Sequence, residues 1–194
     1  MKTKLICFEG PNGVGKSTIL DRLRKEFYIK GISCKTFKDS GYPEMIKVRR
    51  NIREGSLINP LEIVRSVAQA RGEVYRQYLD LKEESEFLFL DRGYYTSAIL
   101  QSQGDIPISR VIEENLSVGI PIPDRTFILM APLEILLKRI AERERNKPTK
   151  YSPEFLMKQI RGYLEIARNY EECSLVDNSE SMSLTMDRIN EVFK

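Results

Sequence analysis

The sequence has no histidine in its 194 residues. Mechanisms built on imidazole are thereby excluded, among them Ser/His/Asp hydrolysis and histidine-ligated metal sites. Catalysis has to be assembled from lysine, arginine, carboxylates, backbone amides and metal. Cysteine is scarce too. Cys7, Cys34 and Cys173 are an odd number, lie far apart and show no metal-ligand spacing, and Cys7 and Cys34 sit inside apolar runs as small buried thiols do. This predicts a reducing compartment and a cytoplasmic protein. No stretch approaches the roughly 18 apolar residues of a membrane span, and the basic start MKTKLICFEG lacks the apolar core of a signal peptide. With 31 basic against 28 acidic residues, evenly spread, the formal charge of +3 is too small for bulk attraction to nucleic acid or membrane. There is no internal repeat, low-complexity tract or Pro/Gly-rich linker, so one domain over residues 1–194 is expected.

What is present is an alternation of short apolar runs with helical patterns. Residues 5–9, 33–37, 87–91, 126–130 and 174–177 read as buried parallel strands. Between them, Ile19, Leu20, Leu23 and Phe27 share one helical face, as do Leu133, Leu136, Leu137 and Ile140. Leu156, Ile160, Tyr163, Leu164 and Ala167 form another stripe, and a last segment carries Ile189, Val192 and Phe193. The class is α/β, in which ligands bind beyond the carboxyl ends of the strands. Those ends are Glu9-Gly10, Lys38-Asp39, Asp91-Arg92 and the loop after Met130. Loop character concentrates in residues 39–43, 104–109 and 143–153, which are candidate substrate loops.

FEGPNGVGKST, residues 8–18, places Gly10, Gly15, Lys16 and Ser17 on the spacing G-x-x-x-x-G-K-[ST], after a strand and at the start of a helix. Glycines let backbone amides converge on phosphate oxygens, and the helix N-terminus adds its positive dipole end. Lys16 suits the β- and γ-phosphates and Ser17 a Mg²⁺ ion, with Asp91 at a neighbouring strand end as the carboxylate orienting the metal shell. The competing reading of Asp91 is an N-cap for the next helix.

Arg71 lies on one face with Leu61, Val64, Ala68, Tyr75 and Tyr78, interrupting an inward stripe. A guanidinium there requires acceptors, from either a protein carboxylate or a ligand. Residues 136–153 carry Lys138, Arg139, Arg143, Arg145, Lys147 and Lys150 at a helix end. They read either as a solvated helix or as a basic lid, about residues 141–153, that closes over a transferring phosphoryl group.

Taken in order, these segments resemble the thymidylate kinase family of P-loop nucleoside monophosphate kinases. FEGPNGVGKST resembles its phosphate loop, QAR at residues 69–71 its helix arginine, and DRGYYTSAILQ its DRY-x-x-S-x-x-x-x-Q segment. RIAERERNK at residues 139–147 resembles its lid, and FLMKQIRGYLEIA the helix that follows. The resemblance implies a three-layer α/β/α fold with a five-stranded parallel sheet, ATP and Mg²⁺ as cofactors, a homodimer, and transfer of the ATP γ-phosphoryl group to a pyrimidine deoxynucleotide, dTMP giving dTDP. It places Gly10, Asn12, Gly13, Val14, Gly15, Lys16, Ser17, Thr18 and Arg139 around the donor. Lys38, Asp39, Val67, Arg71, Arg92, Thr96, Leu100 and Gln101 fall around the acceptor, with Arg71 and Gln101 at the base and Arg92 at the phosphate. Arg143 and Arg145 supply transition-state charge from the lid, beside Lys16, Arg92 and Asp91 as catalytic groups.

The chain departs from the family pattern at Asn12, where an acid is usual, at Val67 and Leu100, where aromatics are usual, and in reading DRG for DRY. These positions bear on which base is taken. Two alternatives stand beside the kinase reading: a deoxynucleoside kinase, with Asp39 as base for a hydroxyl acceptor, and a nucleotide-binding regulator without turnover.

Overall fold

In a computed structural model describing residues 3–79, 85–144 and 151–193, the described residues form five strands. These are β1 (Lys4–Glu9), β2 (Cys34–Phe37), β3 (Phe87–Asp91), β4 (Arg125–Met130) and β5 (Cys173–Asp177). All pairings are parallel, in the order β2-β3-β1-β4-β5. The chain thus crosses from β1 to the edge strand β2, returns inward to β3 beside β1, and then runs outward on the other side through β4 and β5. The carboxyl end of β1 is the switch point where open α/β sheets bind ligands.

Strand alternation divides the core into two layers. Leu5 and Cys7 of β1 face one side with Leu88 and Leu90 of β3, while Ile6 and Phe8 face the other with Phe89, Phe127 and Leu129. The first layer is closed by α2 (Pro43–Arg53), α3 (Pro60–Leu79), α4 (Tyr94–Gln101), α5 (Ile108–Ser117) and α7 (Pro153–Asn169). The second is closed by α1 (Lys16–Ile29), α6 (Leu133–Arg143) and α8 (Met182–Asn190). Helix α7 serves both, with Tyr163 and Ile166 in the first layer and Leu156 in the second. Its entry is fixed by Ser152, whose Oγ accepts from the Phe155 amide, followed by Pro153 at the first helical position.

The sheet follows the expected five-stranded α/β arrangement. Three strands begin one residue earlier than the apolar runs suggest, at Lys4, Arg125 and Cys173, and β2 begins one later. Helices α2, α4 and α5 were not expected, although two of them carry a stripe: Met45, Val48 and Ile52 share one inward face of α2, and Ile108, Val111, Ile112 and Leu116 one of α5; α4 alone lacks one. In α4 the reason is composition: Tyr94, Tyr95, Ala98 and Ile99 are all buried, so no polar face contrasts with the apolar one. Of the candidate substrate loops, residues 39–43 tighten into a short 3₁₀ turn and enter α2. Residues 104–109 lie in neither cavity described below, contrary to the expectation; they are closed into a turn by the bridge between Gln103 and Ile106 and enter α5 at Ile108. The loop character of this stretch reflects a tight connection between two short helices.

Close packing of α7 on α4 depends on Gly162, where an added Cβ would come within 2.7 Å of Ile99 Cγ1. Gly162→Ala gains helix propensity but overpacks this contact, and a net loss of about 1 kcal/mol in a urea melt is expected. A variant as stable as the parent would show that α4 and α7 separate freely.

Candidate active site

β1 ends on Glu9, and the chain turns through Gly10 into α1. Gly10 has φ 137°, and a side chain there would meet the Leu129 carbonyl oxygen at 2.3 Å, so no other residue fits. Helix α1 starts after Gly15 without any side-chain cap, which leaves its first amides facing outward for an anion. Lys16 follows and is buried. Its Nζ donates to the carbonyls of Gly10 at 2.7 Å and Pro11 at 3.0 Å. Burial, and then the neighbouring Arg92 charge, hold its pKa well below that of an ordinary lysine.

Asp91 ends β3 beside Phe8 of β1. Its Oδ2 accepts from Lys38 Nζ at 2.6 Å. Asp91 does not cap α4. That helix begins after Gly93, and the amides of Gly93 and Thr96 donate to Glu9 Oε1 at 2.8 and 3.2 Å. Arg92 has φ 72°, left-handed backbone that costs a non-glycine residue about 1 kcal/mol or more. The turn aims its side chain back over the phosphate loop. NH1 donates to Gly10 O, Thr96 Oγ1 and Tyr163 OH at 3.1, 3.1 and 3.3 Å, and NH2 to Asn12 Oδ1 at 2.9 Å.

A cavity of about 690 Å³ opens over this loop. Asn12, Gly13, Gly15, Lys16, Ser17 and Thr18 line it from below. Lys38, Asp91 and Arg92 line one side, and Arg139 and Arg143 another. Two loop residues take part differently. Gly10 contributes its carbonyl, and Val14 is fully buried with its side chain in the core, its carbonyl accepting from Arg139 NH1 at 3.3 Å and from Asn178 Nδ2 at 2.6 Å. Arg143 is exposed and pairs with Glu144. Arg145 and the rest of the basic segment, residues 145–150, lie outside the described residues, as does the side chain of Tyr78.

A second, smaller cavity of about 140 Å³ adjoins the first. Asp91 and Arg92 line both. Its walls hold Asp39, Val67, Arg71, Thr96, Leu100 and Gln101, six of the residues expected around an acceptor. Lys38 lines the larger cavity instead, because its ion pair with Asp91 draws it toward the phosphate loop. Arg71 has found protein acceptors: Nε donates to Asp39 Oδ2 at 2.5 Å, NH1 to Asn115 Oδ1 at 2.5 Å and NH2 to Ser97 Oγ at 2.8 Å. Burial disfavours its charge, but Asp39 more than offsets this and holds the guanidinium pKa above its ordinary value. The Gln101 Oε1 atom is buried without a hydrogen-bond partner.

The family model described as thymidylate kinase matches residues 8–189. The chain belongs to the thymidylate kinase family. It is accordingly an ATP-dependent phosphotransferase of that family. A thymidylate kinase of Leptospira borgpetersenii serovar Hardjo-bovis is 32% identical over 75% of this chain and 72% of its own. That of Thermoanaerobacter pseudethanolicus is 27% identical over 88% and 86%. A solved thymidylate kinase from Candida albicans superposes with a TM-score of 0.75 over 99% of this chain and 91% of that one; at 21% identity this speaks for the fold alone.

In this thymidylate kinase family member several site residues escaped sequence reasoning. Glu9 was noted only as a strand end, yet it is fully buried and caps α4. Gln159 of α7 accepts from the Asn12 amide at 3.0 Å, Asn178 holds Val14, and Arg49 of α2 lines the smaller cavity. Glu9, Gln159 and Asn178 are polar residues buried within or beside apolar segments, the signal that singled out Arg71, and that signal could have found them.

Proposed function

We propose that this protein transfers the γ-phosphoryl group of ATP to the phosphate of dTMP, with the ATP triphosphate in the larger cavity and dTMP in the smaller. The observation that carries this reading is the meeting of the two cavities at Asp91 and Arg92, which gives a donor and an acceptor phosphate one shared wall. Loop amides and the α1 N-terminus bind the donor phosphates. Phosphate charge draws Lys16 Nζ from the loop carbonyls and favours its protonated form. Arg92 neutralises charge between donor and acceptor, and Arg139, Arg143 and Arg145 add charge from the lid side. An acceptor phosphate is anionic already, so it needs positioning and neutralisation more than a base.

Ser17 and Asp91 line one cavity and offer hard oxygen ligands, which suits Mg²⁺ completed by water and phosphate oxygens. Lys38 engages Asp91 through Oδ2, so Oδ1 is the oxygen assigned to the metal shell. When bound, the ion would supply positive charge against the negative charge that develops on the transferring phosphoryl group. The acceptor cavity combines the aliphatic walls Met45, Ile52, Val67 and Leu100 with the polar Gln101 and Arg71, as a methylated pyrimidine requires. Aliphatic residues at Val67 and Leu100 grip a base by contact area in place of ring stacking. No described helix is long and apolar enough to cross a membrane, and we place the protein in the cytoplasm as a homodimer.

An acceptor panel with ATP, read by ADP formation, tests this reading: dTMP, dUMP, dCMP, 5-substituted deoxyuridylates and the free nucleosides. Preference for dTMP is expected; preference for free nucleosides over every monophosphate would overturn it. Against the nucleoside reading stands Asp39, which is buried and committed to Arg71 and so is poorly placed as a base for a hydroxyl. Within the main reading, Gln101→Leu removes the partner of a base donor and is expected to raise the KM for dTMP about tenfold, with a smaller change in kcat. An unchanged KM would remove Gln101 from the base pocket.

A further inference from the structure

We infer that Glu9 and Tyr163 are positioning residues for Arg92, acting by fixing where the hydroxyl protons beside its guanidinium point. The inference rests on the reading of Arg92 as the residue that neutralises the phosphoryl group in transit. Glu9 is wholly buried and has no ion-pair partner among the described residues. Both of its oxygens are met by hydrogen bonds, and the Lys16 and Arg71 charges lie near enough to act on it. Oε1 accepts from the Gly93 and Thr96 amides, and Oε2 accepts from Thr96 Oγ1 at 2.6 Å and Tyr163 OH at 2.9 Å.

The two hydroxyls are also the ones that Arg92 NH1 approaches. A hydroxyl has one proton, and a guanidinium has no acceptor, so the NH1 contacts to Thr96 and Tyr163 are favourable only if both oxygens turn lone pairs toward Arg92, whose other bonds go to Gly10 O and Asn12 Oδ1. Glu9 Oε2, which accepts from both hydroxyls, ensures this. Tyr163 can donate to Glu9 directly or to Thr96 Oγ1, 2.9 Å away, which then donates to Glu9. In either arrangement every hydroxyl proton is drawn toward the carboxylate and none faces Arg92. Burial, and then Glu9, push the Tyr163 phenol pKa well above its ordinary value, so the proton stays in place.

Helix α7 makes this a shared scaffold. Gln159 lies one turn before Tyr163 on the same face and accepts from the Asn12 amide at 3.0 Å and from Asn12 Nδ2 at 3.3 Å. Asn12 Oδ1 in turn accepts from Arg92 NH2. The same helical face therefore sets the phosphate loop and the guanidinium relative to each other, while Glu9 sets the polarity of the contact.

The experiment is a double-mutant cycle read by steady-state ADP formation with ATP and dTMP. Tyr163→Phe is measured in the parent and in Arg92→Gln, with thermal melts of all forms. Loss of an acceptor and of a proton donor misplaces Arg92, and a fall in kcat of roughly ten- to a hundredfold is expected in the parent, with KM values changed much less. In Arg92→Gln the same substitution should change kcat less than twofold. An equal loss in both backgrounds means that Tyr163 acts on the fold, and no loss in the parent means that it does not act; either result overturns the inference. Glu9→Gln, which leaves one acceptor oxygen where two now serve a pair of amides and a pair of hydroxyls, should reproduce the kcat loss. If its melt shows an unfolded protein, the Tyr163 cycle decides alone. Transfer unimpaired in Arg92→Gln itself would instead sink the reading of Arg92 on which the inference rests.

Discussion

Lys16→Ala is expected to lower kcat/KM by about 10³-fold, as removal of a cation that meets transition-state charge in a water-poor site does. The argument comes from where the amine sits. Its Nζ is buried beneath the larger cavity, bound among the described residues to two carbonyls, and lies beside the Arg92 charge. In the absence of phosphate this is an unfavourable place for an ammonium. Lys16→Ala should therefore cost little stability, and its melting temperature should stay near the parent value while activity collapses. The check is ADP formation alongside a thermal melt. Transfer within a fewfold of the parent would sink the assignment of this loop to the donor. A collapse of the melt together with activity would show that the amine serves the fold first.

The second large effect concerns Arg92 and has two parts of opposite sign. Both Arg92→Ala and Arg92→Gly remove the guanidinium, and each is expected to lower kcat by about 10³-fold or more. Their stabilities should differ. At φ 72° alanine retains the left-handed strain and glycine does not, so the glycine variant should be more stable than the alanine variant by about 1 kcal/mol, despite its freer unfolded chain. Paired urea titrations measure the difference. Alanine equal to glycine in midpoint would mean that the backbone relaxes out of this conformation once the side chain is gone. The strain is carried for the sake of aim: only this turn brings the side chain back over Gly10 and Asn12.

The donor half of the site was legible because its chemistry is local. Glycine spacing, Lys16 and Ser17 lie within one strand-turn-helix unit, and the strand that precedes them has an apolar run with nothing else to become. Asp91 and Arg92 were legible as a strand end. The acceptor half was legible only in part. Arg71 announced itself by interrupting an apolar stripe, but sequence left open what fills its fork, since Asp39, Ser97 and Asn115 come from three separate segments. Glu9 was hidden for the converse reason. A carboxylate that ends an apolar strand reads as a residue facing the ligand, and its four hydrogen bonds come from residues 84 to 154 positions away. Helix α4 escaped because it buries nearly all its apolar residues and has no polar face to contrast with them, whereas α2 has only the short stripe of Met45, Val48 and Ile52 within an otherwise charged segment.

The contacts of α7 also bear on when the protein becomes competent during its synthesis. The phosphate loop is encoded by residue 18, yet the Asn12 amide waits for Gln159, 147 positions on, and Glu9 waits for Tyr163, 154 positions on. Closing such distances in sequence is slow and comes late in folding. A nascent chain still lacking α7 has the nucleotide-binding motif complete in its covalent structure and incomplete in space. Catalytic competence should therefore appear only once α7 has emerged, long after the signature that defines it has left the ribosome.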